Sequence, residues 1–149
     1  MFRLSPSLFR ATLWGALIVV ALIGCKSEPE PPSNASDFIE YVSAYTSGLV
    51  SKEAEIRIVL AKPFEGFTGA KTAADAKLLS INPKIDGELL WVDQNSLVFK
   101  PSSLLPSAQS YQVTLQLSDI FSDVPAELQK FNFNFQVLDQ SYAVSNINL

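Results

Sequence analysis

Hydrophobic and polar residues alternate along several stretches of the chain, which is the period of a β-strand with one buried and one wet face. The clearest case is FNFNFQV at 131–137, where three phenylalanines and a valine share one face and amides share the other. A second run, YQVTLQL at 111–117, alternates in the same way. We predict that both are strands of one sandwich. The Phe face is expected in its core, because an exposed edge of this kind would aggregate.

Shorter runs complete the predicted all-β fold. Further strands are expected at 38–44, 55–60, 78–81, 88–92 and 97–99. The first two of these should pair, the last two should form a hairpin, and Pro101 to Pro106 should cross between the sheets. Trp91 is expected in the core, with a ligand platform as the alternative.

Two irregular segments separate these strands. Phe64 and Phe67 are expected to tuck under the loop at 62–77. The loop at 119–129 should hold one helical turn that starts at Pro125 and is capped by Asp123.

The N-terminal stretch has a different pattern. Arg3 and Arg10 precede an apolar run of 11 residues at 13–23, which is too short to cross a bilayer core of roughly 30 Å. It ends in LIGC at 22–25, which resembles the bacterial lipobox. The resemblance implies a signal peptide at 1–24, cleavage between Gly24 and Cys25, and acylation of Cys25. It also implies that the lipid on Cys25 anchors the chain to a membrane.

Residues 25–36 then form a tether, because KSEPEPPSNAS at 26–36 has three prolines and almost no apolar side chain. The residue directly after Cys25 is Lys26 and not an aspartate, and in this the chain resembles lipoproteins of the outer membrane. We therefore expect a cell-envelope location, with the periplasmic face and the cell surface both open. The sandwich is assigned to 37–138, and 139–149 is expected to be a connector or the start of a further domain.

Composition and charge narrow the function. The chain has 149 residues, of which 48% are hydrophobic, enough for one domain of ordinary size. Without Arg3 and Arg10, 9 of the 11 basic residues face 15 acidic residues, which gives a formal charge of −6. Nucleic acid is therefore not an expected partner, since its phosphates require clustered Lys and Arg.

Candidate catalytic groups are sparse. The chain has no histidine, and Cys25 is its single cysteine, so the commonest general base and any internal disulfide are absent. Five aspartates fall in predicted turns, where Asp bonds to nearby backbone: Asp75, Asp86, Asp93, Asp119 and Asp123. Calcium held by such loop oxygens is the alternative. We expect no enzyme activity, cofactor, metal or small-molecule substrate.

Several short motifs resemble those of a known family. They are YVSAYTSG at 41–48, IRI at 56–58, NPKIDG at 82–87, WVD at 91–93, LVFKP at 97–101, LP at 105–106, YQV at 111–113 and FNFNFQ at 131–136. These motifs resemble a bacterial Ig-like domain. More narrowly, they resemble the N-terminal portion of lipoproteins of the alpha-2-macroglobulin family.

The resemblance implies an Ig-like antiparallel β-sandwich of about seven strands. It also implies the N-terminal module of a protease inhibitor whose bait segment and thioester lie further downstream. Proteases would then be partners only through a longer chain. The alternative is a stand-alone surface lipoprotein whose sandwich binds a protein or glycan.

Overall fold

The computed structural model describes residues 35–69 and 71–139, which form two packed β-sheets without any α-helix in that part of the chain. The strands are β1 (Val42–Tyr45), β2 (Gly48–Val50), β3 (Ile56–Leu60), β4 (Thr72–Ala73), β5 (Leu79–Asn82), β6 (Gly87–Trp91), β7 (Ser96–Pro101), β8 (Ser110–Gln116) and β9 (Lys130–Val137). Short 3₁₀ turns occupy Ala35–Phe38, Ala76–Leu78, Leu117–Asp119 and Ala126–Leu128.

The strand order is that of an immunoglobulin-type sandwich. One sheet has the order β1-β3-β7-β6-β4 and the other has the order β2-β9-β8-β5. Neighbouring strands are antiparallel throughout, except that β2 runs parallel to β9. Without β4, each sheet has four strands. If β1 and β2 are counted as two halves of one first strand, the arrangement is the four-plus-three order of the seven-stranded Ig fold. The predicted all-β, Ig-like sandwich is confirmed.

The strand count differs from the predicted seven for two local reasons. The segment at 46–48, which follows the strand predicted at 38–44, moves the chain from one sheet to the other. Gly48 has a φ of 70°, a conformation that glycine adopts without steric cost, and the Arg57 N–H donates to the Thr46 hydroxyl at 2.8 Å. The second additional strand is β4. It is only two residues long, which is too short to show an alternation of apolar and polar residues in the sequence.

The Phe ladder of β9 lies in the core as predicted. Phe131, Phe133 and Phe135 are each at most 1% exposed. The Tyr45 ring lies 5.0 Å from the ring of Phe131 and 5.2 Å from that of Phe133, which joins the two sheets through aromatic contacts. Burying each phenylalanine contributes about 1.5–3 kcal/mol, so this ladder contributes substantially to the stability of the fold.

Trp91 and Phe64 form a smaller cluster beneath the 62–77 loop. Trp91 is buried at 4% exposure, and the Phe64 ring stacks on it at 4.5 Å with a 12° angle between the planes. Phe67 is half-buried against the same core. Both predictions are confirmed: the tryptophan belongs to the core, and the loop aromatics tuck under their loop.

The chain passes through the sandwich from end to end. At what we call the proximal end, Phe38 packs on Phe131 at the start of β9, with 5.0 Å between ring centroids. At the distal end, Val50 pairs with Val137, and the Leu138 N–H donates to the Val50 carbonyl at 2.9 Å. A strand of the length of β9 spans about 25 Å, so the two ends are well separated.

Several predictions fall outside the described residues. These are the signal peptide at 1–24, the cleavage site at Gly24 and Cys25, nearly all of the 25–36 tether and residues 140–149. The domain limits at 37 and 138 also stay predictions. Within residues 35–69 and 71–139, no helix is long and apolar enough to cross a membrane.

Candidate functional site

Two of the five predicted aspartates, Asp75 and Asp93, accept hydrogen bonds from nearby backbone N–H groups as expected. The Asp75 carboxylate accepts from the Lys77 N–H at 2.9 Å, and Asp93 accepts from the Asn95 N–H at 2.8 Å. The Asn95 N–H, together with the Ser96 hydroxyl, holds the pKa of Asp93 below its usual value. In the described part of the chain, no three Asp, Glu, His or Cys side chains lie close enough together to hold a metal ion.

Asp123 does not cap the turn at Ala126–Leu128, whose N-cap is Pro125 without any side-chain hydrogen bond. Its carboxylate instead pairs with the Lys62 ammonium at 3.3 Å, and that ammonium lies 4.6 Å from the Tyr41 ring centroid. The Tyr41 hydroxyl donates to the Asp123 carbonyl at 3.2 Å. The predicted cap is therefore wrong, because a partner on a distant loop outcompetes the nearby backbone.

A groove of about 560 Å³ opens between β5 of one sheet and β6 of the other. Its apolar wall combines half-buried side chains of β5 and of the loop that follows it with core residues of the facing sheet: Leu79, Ile81, Ile85, Leu89 and Phe99. Lys77, Lys84 and Asp86 stand at its rim. A volume of this size lies in the range of binding pockets.

Gly87 keeps β6 close to β7 at one end of this groove. A Cβ built at this position would lie 2.5 Å from the Lys100 carbonyl oxygen and would also collide with the Phe99 ring. The preceding loop crosses from one sheet to the other, and the Ser102 N–H fixes it by donating to the Asp86 carbonyl at 2.8 Å. The glycine therefore lets the Phe99 ring occupy the space that a side chain would fill.

The hydrogen bonds of β8 determine which backbone groups of β5 face the groove. The Leu117 N–H donates to the Gln129 carbonyl at 2.8 Å, and the Gln109 carbonyl accepts from Val137 at 2.9 Å. Because backbone groups alternate in direction along a strand, odd-numbered residues of β8 face β9 and even-numbered residues face β5. Thr114 and Gln112 pair with Ser80 and Asn82.

The backbone of Ile81 therefore points away from β8. Its N–H and carbonyl, together with the Leu79 carbonyl, lie along the outer edge of β5 beside the groove. Among the described residues, β5 pairs with β8 alone. This edge is an unmatched row of donors and acceptors, which is the chemistry that accepts another strand.

The rim of the groove is positive on a domain that is otherwise acidic. Lys84 pairs with Asp86 at 3.2 Å, and both side chains are more than four-fifths exposed. Lys77 makes no ion pair within the described residues. The positive charge of Lys77 is therefore not neutralised by an ion pair at this rim.

Sequence reasoning missed this edge. The sequence predicts an ordinary short strand at 78–81, and the structure places β5 at Leu79–Asn82, the run LSIN. The available signal was negative: the run contains no proline, lysine or other charge, although these are the usual protections of an exposed edge.

Comparison with known proteins shows no family for this chain. No family model and no curated protein matches the sequence. One similar solved structure is L,D-transpeptidase 3 from Mycobacterium tuberculosis in complex with a faropenem-derived adduct, at 10% identity, with a TM-score of 0.45, over 68% of this chain and 39% of that chain. Another is an L,D-transpeptidase from Mycobacterium tuberculosis H37Rv, at 11% identity, with a TM-score of 0.43, over 66% of this chain and 40% of that chain.

The expectation that the chain is not an enzyme is contradicted by these matches, both of which are transpeptidases, and it is withdrawn. The chain spans about two fifths of each of those chains, and at these identities the likeness concerns the fold alone. The alpha-2-macroglobulin resemblance is untouched by either match and stays a prediction.

Proposed function

We propose that the protein is a bacterial cell-envelope lipoprotein whose Ig-like sandwich is the N-terminal module of an alpha-2-macroglobulin-like protease inhibitor. The observation that carries the proposal is the end-to-end path of the chain. Phe38 lies at the proximal end and Leu138 at the distal end. A module with this path continues a chain in line, with the membrane behind it and further domains ahead.

The membrane attachment would come from Cys25. Diacylglycerol on its thiol and an acyl group on its new amino terminus would supply more than the single chain that gives only marginal binding. The Pro-rich tether, extended at about 3.1 Å per residue, would lift the proximal end on the order of 30 Å from the lipid. The outer membrane is the proposed location. A protease would be engaged by segments beyond this sandwich.

Intact-mass measurement on protein extracted from the membranes of its native host tests this proposal. We expect a species that starts at Cys25 and carries glyceryl-linked acyl chains. Cys25→Ser should abolish both the lipid and the cleavage, whereas the matched variant Ser27→Ala should change neither. A species that keeps Met1 and has no lipid would contradict the anchor.

A second candidate function is favoured by the open edge of β5. In this alternative the chain is a stand-alone surface lipoprotein whose sandwich binds a protein partner. The same mass measurement separates the two candidates. A mass many times that of the 149 residues would favour the inhibitor module, and a mass close to that of residues 25–149 plus lipid would favour the stand-alone protein.

A further inference from the structure

We infer that the outer edge of β5 and the groove beside it bind an extended peptide by strand addition. The guest carries apolar side chains on the face that meets the groove, and an acidic residue near Lys77. This inference deepens the second candidate function, the binding of a protein partner, and does not depend on the lipid anchor.

The first step concerns backbone hydrogen bonding. The N–H and carbonyl of Ile81 and the carbonyl of Leu79 point outward from β5, whereas the backbone groups of Ser80 and Asn82 point toward β8, opposite Thr114 and Gln112. An antiparallel guest residue placed opposite Ile81 exchanges two hydrogen bonds with it, as in any hydrogen-bonded pair of antiparallel strands. This is the general mode by which peptides extend a sheet at its edge.

The second step concerns the side chains of the guest. A residue opposite Ile81 places its side chain on the same face as Ile81, which is the face between the two sheets. There the groove offers Leu89 and Phe99 of the facing sheet as an apolar wall. The neighbouring guest residues face solvent on the Ser80 side, so the guest alternates apolar and polar residues.

The third step concerns charge. Lys77 lies two positions before the first residue of β5 and lacks an ion pair within the described residues, while Lys84 is already paired with Asp86. The groove rim therefore carries one net positive charge. A carboxylate on the guest near Leu79 complements it, and a basic residue at that position is repelled.

The other sheet edges are less suited to this role. The pairing of β1 has a register shift between Val42 and Ala44, β2 has three residues, and β4 has two. In contrast, β5 pairs in regular register over all four of its residues. The β5 edge is therefore regular and also borders the groove.

The test uses the full chain purified in detergent and the capped peptide acetyl-TVTVD-amide, titrated by NMR. We expect binding at micromolar to millimolar peptide, with the largest shifts at Ile81 and its neighbours. The same peptide N-methylated on alternate residues should not bind. Lys77→Glu should weaken binding about two- to five-fold, in the range of an exposed ion pair, and should strengthen binding of a peptide with lysine in place of aspartate.

Lys130→Glu, which makes the same change at the start of β9, serves as the matched control and should leave binding unchanged. Ile81→Pro removes the outward N–H and should abolish binding. If Ile81→Pro does not fold, the comparison of Lys77→Glu with Lys130→Glu still tests the inference.

Three outcomes would overturn the inference. They are no binding at millimolar peptide, binding that survives N-methylation, and occupation of the β5 edge by a second copy of the chain. Each is distinguishable from failure of the lipoprotein proposal, because the lipid is read from the intact mass and peptide binding from the spectra.

Discussion

The two edges of the four-stranded sheet are built in opposite ways. At one edge, β2 lies against β9 and its Phe ladder, and the chain reaches β2 directly from β1 of the other sheet. At the other edge, β5 is separated from β9 by β8, and its outer side borders a groove. Both edge strands have a single neighbour in the sheet. The comparison shows that one sheet can combine a three-residue edge beside its aromatic core strand with a regular edge that borders a groove.

The largest expected effect comes from disrupting the Phe ladder of β9. Phe133→Ala should lower the free energy of unfolding by about 3–5 kcal/mol, because it leaves a cavity among rings that are now in contact. Phe133 is 1% exposed, and its ring lies 5.6 Å from that of Phe131. Urea denaturation measures the loss. Asn134→Ala on the opposite face is the control and should change stability by about 0.5 kcal/mol or less. Equal losses would mean that the ladder is not the core.

Proline substitutions sharpen the comparison within β5. Ser80→Pro removes an N–H that bonds to β8, and leaving the Thr114 carbonyl unpaired should cost about 1–3 kcal/mol. Ile81→Pro removes an N–H that points outward, a position where edge strands tolerate proline. After correction for the lost side chain with Ile81→Ala, its cost should be clearly smaller. A larger cost at Ile81 would reverse the assignment of the edge.

A smaller effect is expected at the proximal end. Lys62→Met removes an ion pair with Asp123 and a cation–π contact with Tyr41, together about 1 kcal/mol. Lys84→Met breaks the pair with Asp86, which is far more exposed, and should have no measurable effect. Thermal unfolding of both variants checks this order, and a greater loss from Lys84→Met would contradict it.

The smallest expected effect is the loss, at acidic pH, of the contribution of Asp93 to stability. The pKa of Asp93 is lowered in the folded protein from its ordinary 3.8, so its contribution to stability is present above the unfolded pKa and is lost as pH falls through the folded value. Asp93→Asn should therefore differ in stability from the parent chain at neutral pH, and the difference should shrink as pH falls through the lowered pKa of Asp93 in the folded protein. A difference that is constant from pH 7 to pH 2 would exclude this carboxylate as the cause.

Much of the fold was accessible from the sequence, because its strongest strands alternate cleanly. The burial of Phe131, Phe133 and Phe135 follows from a period of two and from the cost of exposing such a face. The Trp91 position follows from the size of its side chain. The change of sheet at Gly48 and the two-residue β4 did not follow, because both depend on neighbours that are distant in sequence.

The candidate site was less accessible for the same reason. Whether β5 is an edge strand depends on which strand lies beside it and on the direction of its alternate backbone groups. Neither property can be recognised in the sequence LSIN at 79–82. The partner of Asp123 is Lys62, which is 61 positions away. Local propensity favoured a cap, and a tertiary contact overrode it.

Amide hydrogen exchange at β5, followed by NMR on the full chain in detergent, tests the central claim that this edge is open. We expect the Ile81 amide to exchange much faster than those of Ser80 and Asn82, which donate to β8. The amides of Phe133 and Phe135 in β9 provide the slow reference. Equal protection of Ile81, Ser80 and Asn82 would mean that the edge is covered, and would contradict the account.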